Sequence, residues 1–117
     1  MYGKVMIDGI EVAMRGSAAT PYRYKQVFHE DMLKVTQSIG AEGPETIDFA
    51  MKVGYVMAMQ ASDADMQKLS EGTFVEWCDQ YSFDGMLEAV EGILTIYAGN
   101  SQTDSDAKKN PVQQSES

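Results

Sequence analysis

Apolar residues alternate at the start of the chain. Val5 and Ile7 lie before Asp8-Gly9, and Ile10, Val12 and Met14 follow it at every second position. A period of two predicts strands. Asp-Gly tolerates the positive φ that a type I′ turn requires at both central positions. Folding the chain there pairs Ile7 with Ile10, Val5 with Val12 and Gly3 with Met14 on one face. The other face carries Lys4, Met6, Glu11 and Ala13. A hairpin alone is marginal in water, so helices must cover its apolar side.

At Thr20-Pro21 the period becomes helical. Thr suits an N-cap and Pro the first helical position. Tyr24, Phe28, Met32, Val35 and Ile39 then predict one helix over 20–39, ended by Gly40. Gly43-Pro44-Glu45 opens a second helix, 44–60. Its stripe of Ile47, Ala50, Met51, Gly54, Tyr55, Ala58 and Met59 is widened by Phe49, Val53, Val56 and Met57. A helix apolar nearly all round is central in its domain or carries a second buried surface. A short helix is expected over 63–70, ended by Gly72. Thr73 and Glu76 fit a capping box for a helix over 73–81. Ser82 caps a last helix, 83–98, with Phe83, Met86, Leu87, Val90, Ile93, Leu94 and Tyr97 in its stripe. Gly99-Asn100 stops it. Residues 100–117 hold one aliphatic side chain, Val112, and no aromatic one, which predicts a disordered polar tail. The fold class expected is α+β and predominantly helical. An N-terminal antiparallel hairpin, 2–15, packs on four to five helices in a single globular domain, 1–99.

Charge narrows the partners. The net charge of −9 is concentrated in residues 36–99, which hold two Lys/Arg against eleven Asp/Glu. An acidic body argues against nucleic acid, whose phosphates need a basic surface. It suits plain solubility or a basic protein partner. No basic leader is visible, and Lys52 interrupts the longest apolar run, Phe49 to Met59, well short of the roughly 18 residues of a membrane span. The single cysteine, Cys78, excludes an internal disulfide and a multi-cysteine zinc site, so a reducing compartment is expected.

Chemistry is sparse. His29-Glu30 lacks the second histidine of a zinc-protease helix, because Leu33 occupies that place. A Cys78–His29 pair has no support in spacing, and a cysteine beside Trp77 reads as a small core residue. Asp63 and Asp65 begin like a calcium loop, but Phe74 stands where the twelfth-position acid belongs. The expectation is a protein without catalytic residues, metal or cofactor. Nine methionines do suggest binding. Met51, Tyr55, Met57, Met59 and Met66 are the candidate partner-binding residues, since flexible thioethers adapt to variable apolar partners. A loosely filled core is the competing explanation.

Four features in this order resemble the small tail assembly chaperones of long-tailed, siphovirus-type bacteriophages and prophages. They are the Asp8-Gly9 hairpin, the run from Ser17 to Phe28 (SAATPYRYKQVF), the run from Phe74 to Tyr81 (FVEWCDQY), and the final helix with its Ser/Thr/Lys tail. The resemblance spans residues 2 to 110 and implies a non-catalytic protein of the host cytoplasm, absent from the mature virion. Its partner would be the tape measure protein, a long, helical, aggregation-prone chain around which tail-tube subunits polymerise. Further partners implied are the tail-tube protein, a longer frameshifted form of the same chain, and other copies of it. Ala107-Lys108-Lys109-Asn110 is compatible with an A-rich slippery run at the frameshift. The competing class is an acidic, phage-encoded inhibitor that mimics nucleic acid and acts on a basic host protein. That reading expects salt-sensitive binding, whereas the chaperone reading expects apolar, salt-tolerant binding.

Overall fold

The computed structural model describes residues 2–39 and 43–99. Strands β1 (Tyr2–Ile7) and β2 (Ile10–Arg15) form an antiparallel hairpin at the N-terminus. Five helices follow: α1 (Thr20–Phe28), α2 (Met32–Ser38), α3 (Pro44–Ala61), α4 (Glu71–Cys78) and α5 (Phe83–Gly99). The expected α+β class, a hairpin on four to five helices, is what the chain adopts. The expected disordered tail, 100–117, and the Gly40 and Asn100 stop signals lie outside the described residues.

The hairpin register follows from its turn. Asp8 and Gly9 take φ of 58° and 80°, and Ile7 pairs with Ile10, Val5 with Val12 and Gly3 with Met14. Val5, Ile7 and Met14 are buried, and α3 packs against β2 while α5 packs against β1. Each such side chain contributes roughly 1.5–3 kcal/mol by leaving water. The turn is also fastened to α5. Asp8 Oδ2 accepts the Ser82 backbone N–H at 2.9 Å, and Asp8 Oδ1 accepts the Ser82 hydroxyl at 3.0 Å. Ser82 Oγ in turn accepts the Gly85 N–H at 3.0 Å, so it caps α5 as expected.

Helix α3 is the centre of the domain. It touches α1, α4, α5 and β2, and Phe49, Ala50, Val53, Tyr55, Val56 and Met57 are at most 1% exposed. Eight aromatic rings form a connected series through the core. Tyr97 meets Phe49, Phe49 meets Tyr24, and Tyr24 meets Phe28, with centroids 5.1–5.8 Å apart. Phe28 then meets Phe74 and Tyr55, both of which touch each other, and Tyr55 leads through Trp77 to Tyr81.

Local boundaries differ from the sequence reading in four places. The single helix expected over 20–39 is two helices. His29 takes the left-handed φ of 58°, and Asp31 starts a new helix by accepting the Leu33 and Lys34 N–H groups at 3.0 and 3.2 Å. An aspartate can cap wherever the chain turns, and here that local preference wins over the apolar stripe. Thr20 is not the N-cap of α1, which is Ala19; its buried Oγ1 accepts from Ser17 N and from Gln60 Nε2. The helix expected over 63–70 is one 3₁₀ turn, Met66–Lys68, capped by Asp65. The capping box lies one turn earlier than Thr73–Glu76. Ser70 Oγ accepts the Thr73 N–H and Thr73 Oγ1 accepts the Ser70 N–H, so Gly72 lies inside α4. Phe83, placed in the buried stripe of α5, is 66% exposed.

Two glycines of α5 allow a direct contrast. A Cβ on Gly85 would stand 2.8 Å from Asp8 Oδ1 and 3.0 Å from Asp8 Cα, whereas one on Gly92 meets only the Val5 methyls at 3.5 and 3.6 Å. Gly85→Ala is expected to destabilise the fold by about 1–3 kcal/mol through overpacking. Gly92→Ala is expected to stabilise it by about 0.5–1 kcal/mol through helix propensity. Urea unfolding of the two variants beside the parent measures both signs.

Candidate partner-binding surface

The five methionine and tyrosine candidates do not form one surface. Tyr55 and Met57 are 1% and 0% exposed, so both belong to the core. The cause is the environment of α3, whose apolar excess is consumed by the elements that surround it. Met51 is half-buried and packs against the core. Met66 is half-buried in a polar depression with Arg15, Arg23, Gln60 and Asp63. Met59, also half-buried, borders two apolar clefts, and Tyr55 contributes to the base of one of them.

Two clefts meet at Met59 and Trp77. The first, about 290 Å³, lies between α3, α4 and the 3₁₀ turn. Tyr55, Met59, Leu69 and Trp77 supply its apolar lining, and Asp65, Lys68 and Glu76 also line it. The second, about 320 Å³, runs beside β2. One wall is Ile10, Glu11, Val12 and Ala13, the floor is the end of α3 from Ala58 to Ser62, and the other wall is Trp77, Gln80 and Tyr81. Helix α4 ends at Cys78 and not at the expected 81, so Tyr81 lies in the turn after the helix. Its ring centroid is 5.5 Å from that of Trp77, and Trp77 lines both clefts while Tyr81 lines the second. Sequence reasoning placed Trp77 in a short helix but did not connect it to β2. The link between them is tertiary, and α4's own spacing carries no sign of it.

Polar contacts tie the elements around the clefts together. The Tyr55 hydroxyl is 2.6 Å from Thr73 Oγ1, tying α3 to the first turn of α4. Burial raises the Tyr55 pKa, and the Thr73 hydrogen bond offsets part of that rise. Gln60 Nε2 donates to Arg15 O at 2.8 Å while Arg15 donates to Gln60 O at 2.7 Å, which pins the end of β2 to α3. At the opposite end of α1, the half-buried Lys52 ammonium donates to Asp48 Oδ2 at 2.9 Å and Glu30 Oε1 at 3.3 Å. It also stands 5.3 Å from the centroid of the Phe28 ring. Burial alone would lower the Lys52 pKa; the two carboxylates outweigh it and raise the value.

Cys78 packs against the core, and burial, reinforced by the Asp79 carboxylate, pushes its thiol up to about 11. Among the described residues no group of three or more His, Cys, Asp or Glu side chains is placed to hold a metal ion. None of the described helices is long and apolar enough to cross a membrane. No family model, curated protein or solved structure matches the chain.

These environments set an alkaline limit. The folded chain keeps the Cys78 proton longer than the unfolded chain does, so that stabilisation is intact below about pH 9 and fades toward about pH 11. Tyr24, Tyr55 and Tyr81 are shifted in the same direction, Tyr24 mainly by burial and then by Glu30. The urea midpoint is therefore expected to be level from pH 7 to about 9 and to fall above that. At pH 7 the Cys78 thiolate fraction lies about a hundredfold below that of an unshifted thiol, and alkylation by iodoacetamide should slow at least in proportion.

Proposed function

We propose that this protein is a non-catalytic assembly chaperone, and that it shields apolar segments of a tape measure protein while a phage tail tube polymerises. The observation that supports this most directly is the pair of clefts meeting at Met59 and Trp77. They offer a small, adaptable apolar surface on an otherwise acidic exterior. A chaperone needs both properties: contact area for an aggregation-prone partner, and net charge that keeps the complex dispersed. The resemblance of the hairpin, the Thr20-Pro21 helix start and the Phe74–Tyr81 run to tail assembly chaperones supplies the identity of the partner. The host cytoplasm is the compartment that goes with it, and release before virion completion is the expected fate.

Light scattering of a tape measure fragment, alone and with this protein, tests the proposal. Suppression of aggregation that persists when salt is raised from 50 to 200 mM supports it. No suppression overturns it. Suppression that vanishes over that salt range overturns it too, in favour of an acidic mimic acting on a basic partner. Met59→Lys places a charge between the two clefts and is expected to weaken binding about tenfold, with the circular dichroism spectrum unchanged.

A further inference from the structure

The groove beside β2 has a property that the other cleft lacks: one of its walls is the open edge of a strand. In a two-residue I′ hairpin the pair flanking the turn, Ile7 and Ile10, exchanges both hydrogen bonds, and bonded pairs then alternate along the ladder. Ile10, Val12 and Met14 therefore direct their N–H and C=O groups toward β1. Glu11 and Ala13 direct theirs away, along the outer edge of the sheet. Among the described residues, the Glu11 and Ala13 main chains make no hydrogen bond to any element beyond the hairpin. Glu11 and Ala13 line the same groove as the apolar side chains of Ala58 and Met59 on its floor and Trp77 and Tyr81 on its far wall.

We infer that the open edge of β2 is a strand-docking site. An extended segment of a partner protein, apolar at alternate positions and flanked by lysine or arginine, adds to the hairpin as a third strand and places its apolar side chains in the groove. This rests on the proposal that the face around Met59 binds a partner, and it specifies the form in which the partner arrives.

Three considerations select this occupant. A docked helix satisfies its own backbone and would leave the Glu11 and Ala13 groups unpaired, whereas a strand bonds to both. Charge selects basic flanks. No lysine or arginine lines the groove; Glu11 is part of its wall, and Asp63 and Asp79 adjoin the lining residues Ser62 and Gln80. The Lys4 ammonium 3.8 Å from Glu11 is an exposed, weak partner and leaves that carboxylate available. Composition and packing exclude segments of this chain itself. Residues 100–117 carry a single aliphatic side chain, and β2 of a second copy offers no basic flank, since it carries Glu11 and its Arg15 is held by the Gln60 carbonyl.

The test uses the full-length protein, isotope-labelled for amide hydrogen exchange, with a synthetic lysine-ended peptide of alternating valine and threonine as probe. Binding by fluorescence anisotropy, together with at least about tenfold slower exchange of the Glu11 and Ala13 amides, supports the site. The same probe N-methylated at alternate amides, or ended with glutamate, should bind at least about tenfold more weakly. Ala13→Pro removes an outward N–H without removing a ladder bond and should have the same effect, with the fold checked by circular dichroism. Equal binding of the N-methylated probe overturns the inference. So does binding that leaves the two amides unprotected, and so does no binding at millimolar probe. The two readings separate cleanly. Suppressed aggregation of the tape measure fragment without probe binding removes the strand site and leaves the chaperone; probe binding without suppression removes the chaperone and leaves the strand site.

Discussion

Val5, Ile7 and Met14 project from one face of a two-stranded sheet, and a sheet of that size cannot hold an apolar face against water by itself. Covering that face is the constraint from which the rest of the architecture follows. It needs two helices side by side, α3 under β2 and α5 under β1, and those helices must approach closely enough to close the gap between them. Gly54 makes this possible: a Cβ there would lie 3.2 Å from two Ile93 carbons and 3.5 Å from the Met14 methyl. Asp8 then fixes where α5 begins, by binding both the backbone and the hydroxyl of Ser82. The same short turn that reverses the hairpin thus sets the register of a helix 74 residues later.

Once α3 lies at the centre, its opposite side has to be covered as well, and aromatic residues do most of that work. The ring series from Tyr97 to Tyr81 crosses α5, α3, α1 and α4, so one continuous set of edge and tilted contacts connects four helices. Lys52 closes the far side by bridging Asp48 and Glu30 across the α1–α2 junction. Glu30 also accepts the Tyr24 hydroxyl at 3.1 Å, so the break after α1 is held by a polar network and not left as slack chain. A lysine that interrupts the longest apolar run in the sequence is, in three dimensions, what lets that run be buried.

The local grammar of the chain foretold more than its long-range contacts. Asp8-Gly9 gave the turn and every strand pair, and Gly43-Pro44 and Ser82 marked two helix starts, because each is decided by neighbouring backbone geometry. Caps were harder where several candidates stood close together. Ser70, Thr73 and Glu76 all have capping side chains, and the winner depends on where α4 must begin to bring Phe74 and Trp77 to Tyr55. The candidate surface was least legible. Met59 is half-buried whereas Tyr55 and Met57, drawn from the same apolar excess, are in the core, and only the positions of the neighbouring elements separate the two cases. Trp77 and the β2 edge come together through tertiary packing, so no spacing in the sequence announces them.

Economy of covering accounts for the position of the groove. Two helices seal the inner face of the hairpin, yet a sheet of two strands still has two edges, and the end of α4 stops beside β2 without pairing to it. Natural proteins commonly protect such an edge with charge, and Glu11 and Lys4 on the solvent face serve that role here. They do not fill the apolar groove beneath. Charge above an apolar groove is the combination from which the proposed strand-docking site takes its preference for alternate apolar side chains with basic flanks. The aromatic series ends at that groove, with Trp77 and Tyr81, so the rings that hold α4 to the core also line the proposed docking surface. If the proposed site is occupied, stability and recognition draw on the same side chains, and a substitution that loosens one must be tested for its effect on the other.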